Sequence, residues 1–465
     1  MAVPDEEPAF ETQNALIDDE CINETENVWR TLHHAQKHDE NPLLEADKPW
    51  EGYLVLQPGT VIYDEEASCF RMWYNTQPSS DKPDVGKYLC YATSPDGISW
   101  EKPPLDQFEF EGKSSTNILL DGVHWNHVVL KEPDAVNADR RYKLLYWGEG
   151  GVNAAFSADG IEWHVSDENP VVPRAVTGDT FSVMRDPQSG EYWLYHKTPN
   201  EPIRTVSRMV SDDFLSWHDS RRVLGPDKYD TPDIQFYGLS AFPYRGQYAG
   251  LLWVYHTYSQ DMDIQLVSSR DGVSWNRVAD RKLLMHLVPT NRYEGESFDS
   301  RMVYPASAPI VRDDKLWTYY SGFSVPHNAM AVDHDGKIGV AQHRLDGFIS
   351  MDTTSEGHLL TEPVTVEGSE LAINAAVRDV PDQFAGADSA DTASEPSGSI
   401  RVEIQYVDGT PVPGFELDAC ESFTGDSTDA VISWQGAQSL EALVGRTVQI
   451  KFVMCHAQLF GWTIQ

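Results

Sequence analysis

One motif, returning at intervals of roughly 60 residues, constrains this chain more than any other feature. Residues 94–100 read SPDGISW, 157–163 SADGIEW, 211–217 SDDFLSW and 269–275 SRDGVSW, and a degenerate copy, RLDGFIS, occupies 344–350. The Asp-Gly pair suits a turn between two strands: glycine takes positive φ, and the aspartate side chain bonds the turn backbone. The tryptophan is placed to cover an outer strand. These turns punctuate a fold and carry no chemistry of their own.

Before each turn comes the same grammar of apolar strand, acidic hairpin and aromatic alternating strand, as in VIYDEEASCFRMWY (61–74), SVMRDPQSGEYWLYH (182–196) and PIVRDDKLWTYYSG (309–322). Arg71 and Trp73 alternate with Met72 and Tyr74, the period-two mark of half-buried strands. Five such units, with no helical period between them, predict an all-β chain built on a five-bladed β-propeller. NPLLEADKPW (41–50) has the character of an outer strand that closes the ring against the last blade. After Met351 the grammar changes to separate strands at 358–366, 370–377, 399–406, 430–434 and 447–454, which predict a β-sandwich. The expected division is a loose N-terminal arm over 1–25, a catalytic propeller over 26–351 and an accessory sandwich over 352–465. The Ala-, Ser- and Asp-rich stretch 378–398 reads as a loop grown within the sandwich.

Composition narrows the partners. The formal net charge is −38, with 73 acidic against 35 basic residues, a field that repels phosphate backbones and anionic membranes. Nucleic acid is therefore not an expected partner. The acid is scattered among 14 Trp, 20 Tyr and 17 Phe, so the chain folds and wears an acidic skin. Such a skin suits solubility at molar salt and predicts a halophilic source. No run of about 18 apolar residues exists to span a membrane. MAVPDEEPAFETQ has neither a basic n-region nor an apolar h-region, which predicts a salt-rich cytoplasm as the location. Five cysteines without a C-x-x-C pair read as buried thiols, with Cys69 and Cys90 on adjacent strands. The sequence carries no signal of oligomeric state.

The blade grammar, the S-x-D-G-x-x-W turns and the trailing sandwich together resemble the five-bladed propeller glycosidases of families 32 and 43 and their uncharacterised relatives. GESFDSRMVY (295–304) and KPWEG (48–52) are the segments most similar to that uncharacterised branch. The resemblance covers about residues 40–465 and implies cleavage of a glycosidic bond in a central funnel by carboxylates on innermost strands. It fixes no substrate beyond an oligosaccharide or small glycoside. The chain also departs from the family. It lacks the Asn-Asp-Pro-Asn-Gly motif of family 32, and its Arg-Asp-Pro at 185–187 precedes a turn, so Asp186 reads as a turn residue. Asp64, Asp134, Asp313 and Asp314 are hairpin acids by the same logic.

Glycoside hydrolysis needs one carboxyl to donate a proton and one carboxylate to act as nucleophile or to activate water. Counting back from each hairpin to the funnel end of its inner strand gives the candidates Glu51, Asp179, Glu296 and Asp299 as catalytic acids. Glu294, Glu296 and Asp299 crowd within six residues, and their mutual repulsion favours a proton donor among them. His127, Trp50, Trp125, Tyr237, Tyr304, Asp233 and Arg301 are the candidate sugar-binding residues: aromatics to stack on sugar faces, His127 and Asp233 to bond hydroxyls, Arg301 to orient a carboxylate or pair with an anionic sugar. His33, His34 and His38 show no metal-ligand spacing, and no catalytic metal or organic cofactor is expected. Oxygen ligands abound for a structural Ca²⁺ in the channel, yet no EF-hand-like loop demands one. The expected function is glycoside hydrolysis. The alternatives are a non-catalytic carbohydrate-binding propeller and a glycosyl-transferring or phosphorolytic enzyme.

Overall fold

A computed structural model describes residues 13–56, 59–77, 87–287, 297–331, 336–378, 398–436 and 439–465. Five antiparallel blades follow one another along the chain. In blade I, Leu54–Leu56 and Val61–Asp64 both pair with Cys69–Gln77, followed by Leu89–Ser94 and Ile118–Leu120. Blade II runs His127–Lys131, Tyr142–Gly148, Gly151–Ser157 and His164–Val165. Blade III runs Phe181–Arg185, Tyr192–Lys197, Val206–Ser211 and His218–Leu224. Blade IV is Ile234–Tyr244, Gln247–His256 and Met262–Ser269, edged by Asn276–Arg277 and Leu283–Met285. In blade V, Met302–Pro305 and Ile310–Arg312 pair with Lys315–Phe323, which pairs with Lys337–Arg344.

Hydrogen bonds between inner strands close these sheets into a ring. Val129 N donates to Thr60 Oγ1 (2.9 Å), Phe181 N to Asn126 Oδ1 (3.1 Å) and Ser182 Oγ to the Leu239 carbonyl (2.6 Å). Met262 N meets the Arg301 carbonyl at 3.0 Å, and Ser307 N meets that of Gly59 at 2.6 Å, so blade V returns to blade I. The N-terminal segment supplies blade V's outer edge, as expected, but slightly earlier in the chain: Gln36–Lys37 pairs with Gln342 and Ala341, and Leu44 bridges Ile338. Residues 49–51, expected to continue that strand, turn into a short 3₁₀ helix led by Pro49.

The repeated turn does more than reverse the chain. In all four copies the aspartate Oδ1 accepts the backbone N–H groups two and three residues on, at 2.7–2.9 Å. The next carbonyl then latches the preceding blade: Tyr319 Oη donates to Gly97 O, Trp73 Nε1 to Gly160 O and Tyr195 Oη to Gly272 O, each at 2.8 Å. A Cβ at these glycines would stand 2.7 Å from Tyr319 Oη, 2.9 Å from Trp73 and 2.2 Å from Trp193, and φ is +78°, +78° and +66°. The third copy has Phe214 at φ 70°, and its ring fills the seam between Phe156 of blade II and Tyr192 of blade III. In the degenerate fifth copy, Asp346 accepts instead from Tyr244 Oη (2.6 Å) and Arg245 Nε (2.8 Å) of blade IV. A sequence repeat thus becomes an inter-blade stitch.

The C-terminal sheets form the expected sandwich around Leu359, Ile373, Val402, Ile450, Phe452 and Trp462. One sheet orders Trp29–Leu32, Ile349–Asp352, Ala457–Ile464, Leu371–Val377 and Asp426–Val431, and the other centres on Thr447–Cys455 between Gly357–Thr361 and Ser399–Gln405. A correction concerns the N-terminal arm. Over its described part it is not loose: Gln13–Ala15 pairs with Ala457–Ile464, and Ile22–Glu26 with Gly357–Thr361. Its polar side chains hid these strands because each lies at a sheet edge, where one face meets water. The loop at 378–398 lies outside the described residues except at its two ends. None of the five cysteines forms a disulfide; Cys90 stands opposite Tyr74 and Cys69 beyond Phe70, five residues out of register. No helix among the described residues is long and apolar enough to cross a membrane.

Candidate active site

Inner strands start at one end of the ring, and the connections between second and third strands return to it, so residues before the former and within the latter share a mouth. At blade III this brings Asp179, just before Phe181, beside Lys197, which ends the second strand. Backbone bonds fix the approach: Lys197 N donates to the Thr180 carbonyl and Gly178 N to that of Lys197, both at 2.9 Å. A Cβ at Gly178 would lie 2.9 Å from the Lys197 Cβ and Cε, so glycine lets the lysine stem pass and its ammonium reach Asp179 Oδ1. The Asp179 side chain is 41% exposed.

Blade IV supplies the wall. Its strand pairs Phe236 with Val254 but Gly238 with Trp253, which leaves Tyr237 as the extra residue of a β-bulge. Bulges re-aim side chains. Tyr237 lies under Lys197, whose Nζ is 4.4 Å from the ring centroid, and its hydroxyl meets His327 Nε2 at 2.9 Å. Arg204 lies against both Tyr237 and Tyr255, at 5.4 and 5.1 Å, and donates from Nη1 to Gln235 Oε1 at 2.6 Å. Beneath them Tyr304 packs edge-on to Trp125, Tyr237 and Trp253. Burial, then the negative charge of Asp179, pushes the Tyr237 phenol far up, so it stays protonated. Burial lowers His327, and the charges of Arg204 and Lys197 lower it further, so its imidazole is neutral at pH 7.

Of the expected site residues, then, Asp179, Tyr237, Trp125 and Tyr304 come together. Others do not join them. Glu51 is fully buried: it accepts from the backbone N–H of Asp47 and Lys48, from Tyr74 Oη at 2.6 Å and from Lys102 Nζ. Asp299 is 1% exposed, closed in by Lys37 Nζ at 2.5 Å, Tyr320 Oη at 2.8 Å and Ser297 Oγ at 2.6 Å. Both acids anchor the ring's first and last blades, and neither has a face open to a sugar. His127 is core: Nε2 meets the Trp73 carbonyl at 2.6 Å, and burial lowers its pKa to about 4. Trp50 is also core, donating to Asn117 Oδ1 at 2.8 Å. Asp233 is held by Thr231 Oγ1 at 2.6 Å, with His256 3.9 Å away, and Arg301 is spent on Asp261 and the Ser259 carbonyl. Glu294 and Glu296 lie outside the described residues.

Lys197, Arg204 and His327 are not among the expected residues, because they lie at connections between second and third strands and not at the start of inner strands. A signal existed: Lys197 and Arg204 bracket a single short connection, TPNEPI, in a chain with twice as many acids as bases. His327 comes from the corresponding connection of blade V. Among the described residues no group of three or more His, Cys, Asp or Glu side chains has the arrangement of a metal site.

No protein-family model matches the chain. It is 21% identical to an A type blood N-acetyl-alpha-D-galactosamine deacetylase of Flavonifractor plautii, over 86% of this chain. The chain spans 60% of that relative's length. Similar solved structures include an N-acetylgalactosamine deacetylase from F. plautii in complex with blood group B trisaccharide (TM-score 0.43, 14% identity, 73% of this chain and 94% of that one). A fructofuranosidase from Schwanniomyces occidentalis complexed with fructosylnystose (0.42, 11%, 93% and 98%) is another. A third is a thermostable family-43 glycoside hydrolase (0.44, 13%, 64% and 94%).

Proposed function

We propose that this chain is a carbohydrate-active enzyme that cleaves a glycosidic bond at the propeller mouth, with the sandwich as an accessory unit. The observation that carries this reading is the setting of Asp179: a partly exposed carboxylate, ion-paired with Lys197 above Tyr237, beside the half-buried Trp125, with Tyr304 buried beneath as support. The half-buried Trp125 is the ring suited to the apolar face of a pyranose, and a partly exposed carboxylate near it can meet the anomeric carbon or a water beside it. Asp179 is the anionic member of the pair, and Glu296 is assigned as the acid that protonates the leaving oxygen. A carboxyl separation of about 5 Å would make the enzyme retaining, and one of about 6.5–9.5 Å inverting.

The test is hydrolysis of an oligosaccharide and aryl-glycoside panel at molar KCl by the wild type, Asp179→Asn and Glu296→Gln. Each substitution should lower turnover by at least about 10³, because each removes a required proton or electron-pair role. Sugar binding with no cleavage in any form would favour the binding-module reading. The deacetylase relative motivates a second arm: acetate released from N-acetylated sugars, with the glycosidic bond intact, would move the chain to that chemistry.

A further inference from the structure

We infer that the mouth reads an anionic group on its saccharide, a carboxylate or a sulfate or phosphate ester, and that Arg204 is the reader. The inference rests on the mouth being the saccharide site and names the substrate class for it. Arg204 differs from the ion-paired arginines of blades IV and V, and from Arg208, which is also without a carboxylate but is buried over Trp193 and donates to the Asp271 carbonyl. Arg277 faces Asp230, Arg281 faces Asp227 and Asp230, and Arg301 faces Asp261. Arg204, in a chain with 73 acidic residues, has no carboxylate partner among the described residues. It is held by Tyr237 and Tyr255 and by one amide, Gln235.

A guanidinium carries five N–H donors in a planar fork, and Gln235 takes one. Two tyrosine rings and Gln235 hold it without neutralising it, which leaves its charge for an oxyanion. Lys197 completes the logic. Its ammonium is committed to Asp179, so the acid that meets the sugar is already balanced and does not repel a second negative charge beside it. His327, bonded to the Tyr237 hydroxyl, carries no charge at neutral pH. Arginine is also the apt choice where salt is molar: the Debye length falls to about 3 Å, long-range attraction disappears, and a directional bidentate contact remains.

The same oxyanion chemistry is offered by free inorganic phosphate, and the experiment separates the two. A glycan array with neutral, uronate-bearing, sulfated and phosphorylated members, probed with the full chain at constant ionic strength, should retain anionic glycans. Their affinity should fall at least tenfold in Arg204→Gln and only partly in Arg204→Lys, with the melting curve of each variant compared with wild type. Retention of neutral glycans alone, no retention of any anionic glycan, or affinities indifferent to both substitutions would overturn the inference. So would phosphate binding that depends on Arg204 without any anionic glycan being held. Turnover by the wild type separates this from the enzymatic reading: anionic glycans that the wild type binds through Arg204 but never turns over leave the substrate class standing and remove the hydrolase.

Discussion

Asp179 and Asp186 bracket one strand, Phe181–Arg185, and differ in almost everything but residue type. Asp186, at the hairpin end, is 2% exposed; it accepts from Ser189 N (2.8 Å), Ser189 Oγ (2.6 Å) and Tyr248 Oη (2.5 Å) of the next blade. Asp179, at the mouth end, is ion-paired with Lys197 and touches Thr180 Oγ1 at 3.3 Å, with much of its side chain in solvent. The hairpin end repeats its solution elsewhere. Asp64 is taken up by Arg71, Lys131 and Tyr142, and Asp346 by Tyr244 and Arg245. In a chain this acidic, an aspartate is thus marked as available for chemistry by lone pairs left open, and not by its neighbours in sequence.

The largest expected effect breaks the comparison if it fails. Asp179→Asn should lower turnover by at least about 10³ and leave the melting temperature near wild type, since a partly exposed ion pair contributes little to stability. Asp186→Asn should leave turnover within a few-fold of wild type, because its bonds hold a turn remote from the mouth. Steady-state kinetics on one substrate decides both. Equal losses in the two variants would mean that the ends of the strand are not functionally distinct.

Much of this was legible beforehand, and the part that was not has a common cause. The turns at Asp96, Asp159, Asp213 and Asp271 announced the blades because their bonds are local, made within a few residues of chain. Asp186 was recognisable as a turn acid for the same reason. Glu51 and Asp299 misled because what occupies them is distant: Lys102 lies 51 residues from one and Lys37 lies 262 from the other. Nothing in KPWEG or FDSRM shows that a cation from another segment will close over the acid. Tyr237 was found as an aromatic, but the bulge that aims it and the Lys197 above it emerge only from strand register.

The buried acids give the next effect in size. Glu51→Gln leaves Lys102 Nζ, itself only 7% exposed, without its fully buried partner and weakens the bonds to Asp47, Lys48 and Tyr74. Breaking a buried ion pair from one side costs about 3–5 kcal/mol, and Asp47 and the Glu45 carbonyl, which also meet Lys102 Nζ, put this variant at the lower end. Chemical denaturation should show a loss in that range, with the residual folded protein close to the wild type in any turnover per molecule. A fall in turnover without a fall in stability would instead place Glu51 in the mechanism.

Asp186→Asn comes third, at about 1–3 kcal/mol, for the donors of Ser189 and Tyr248 that lose a charged acceptor. Its pH dependence gives a sharper signature. Burial pushes this carboxyl up, but the hydrogen bonds of Ser189 and Tyr248 outweigh burial and hold it below the usual range. Asp64 behaves alike through Lys131 and Arg71, and backbone N–H groups hold Asp96 near 2. For a depressed carboxyl the unfolded chain binds more protons as pH drops. The stabilisation is therefore present above the unfolded pKa, about 4, and lost as pH falls through the folded one. Wild-type stability should decline below about pH 4, and the variant, with one such group fewer, should decline less steeply.

Salt gives the smallest difference between the two regions and the widest effect on the whole. Scattered negative charge summing to −38 repels itself across the surface. At about 0.1 M salt the Debye length is about 10 Å and neighbouring charges feel one another, whereas at about 1 M it is about 3 Å and they do not. The melting temperature should therefore rise as KCl is raised toward molar concentrations. The Asp186 cluster, buried and bonded through directed contacts, is screened far less, so the gap in stability between wild type and Asp186→Asn should stay nearly constant over the same range. The Lys197–Asp179 pair, open to solvent on one side, should behave differently: whatever small stability it contributes at low salt should fade as salt rises. A melting curve indifferent to salt would show that the acidic surface is not self-repelling enough to matter. An Asp186→Asn gap that closes with salt would show that the hairpin cluster is held by exposed charge, and the contrast between the strand's two ends would then be one of degree.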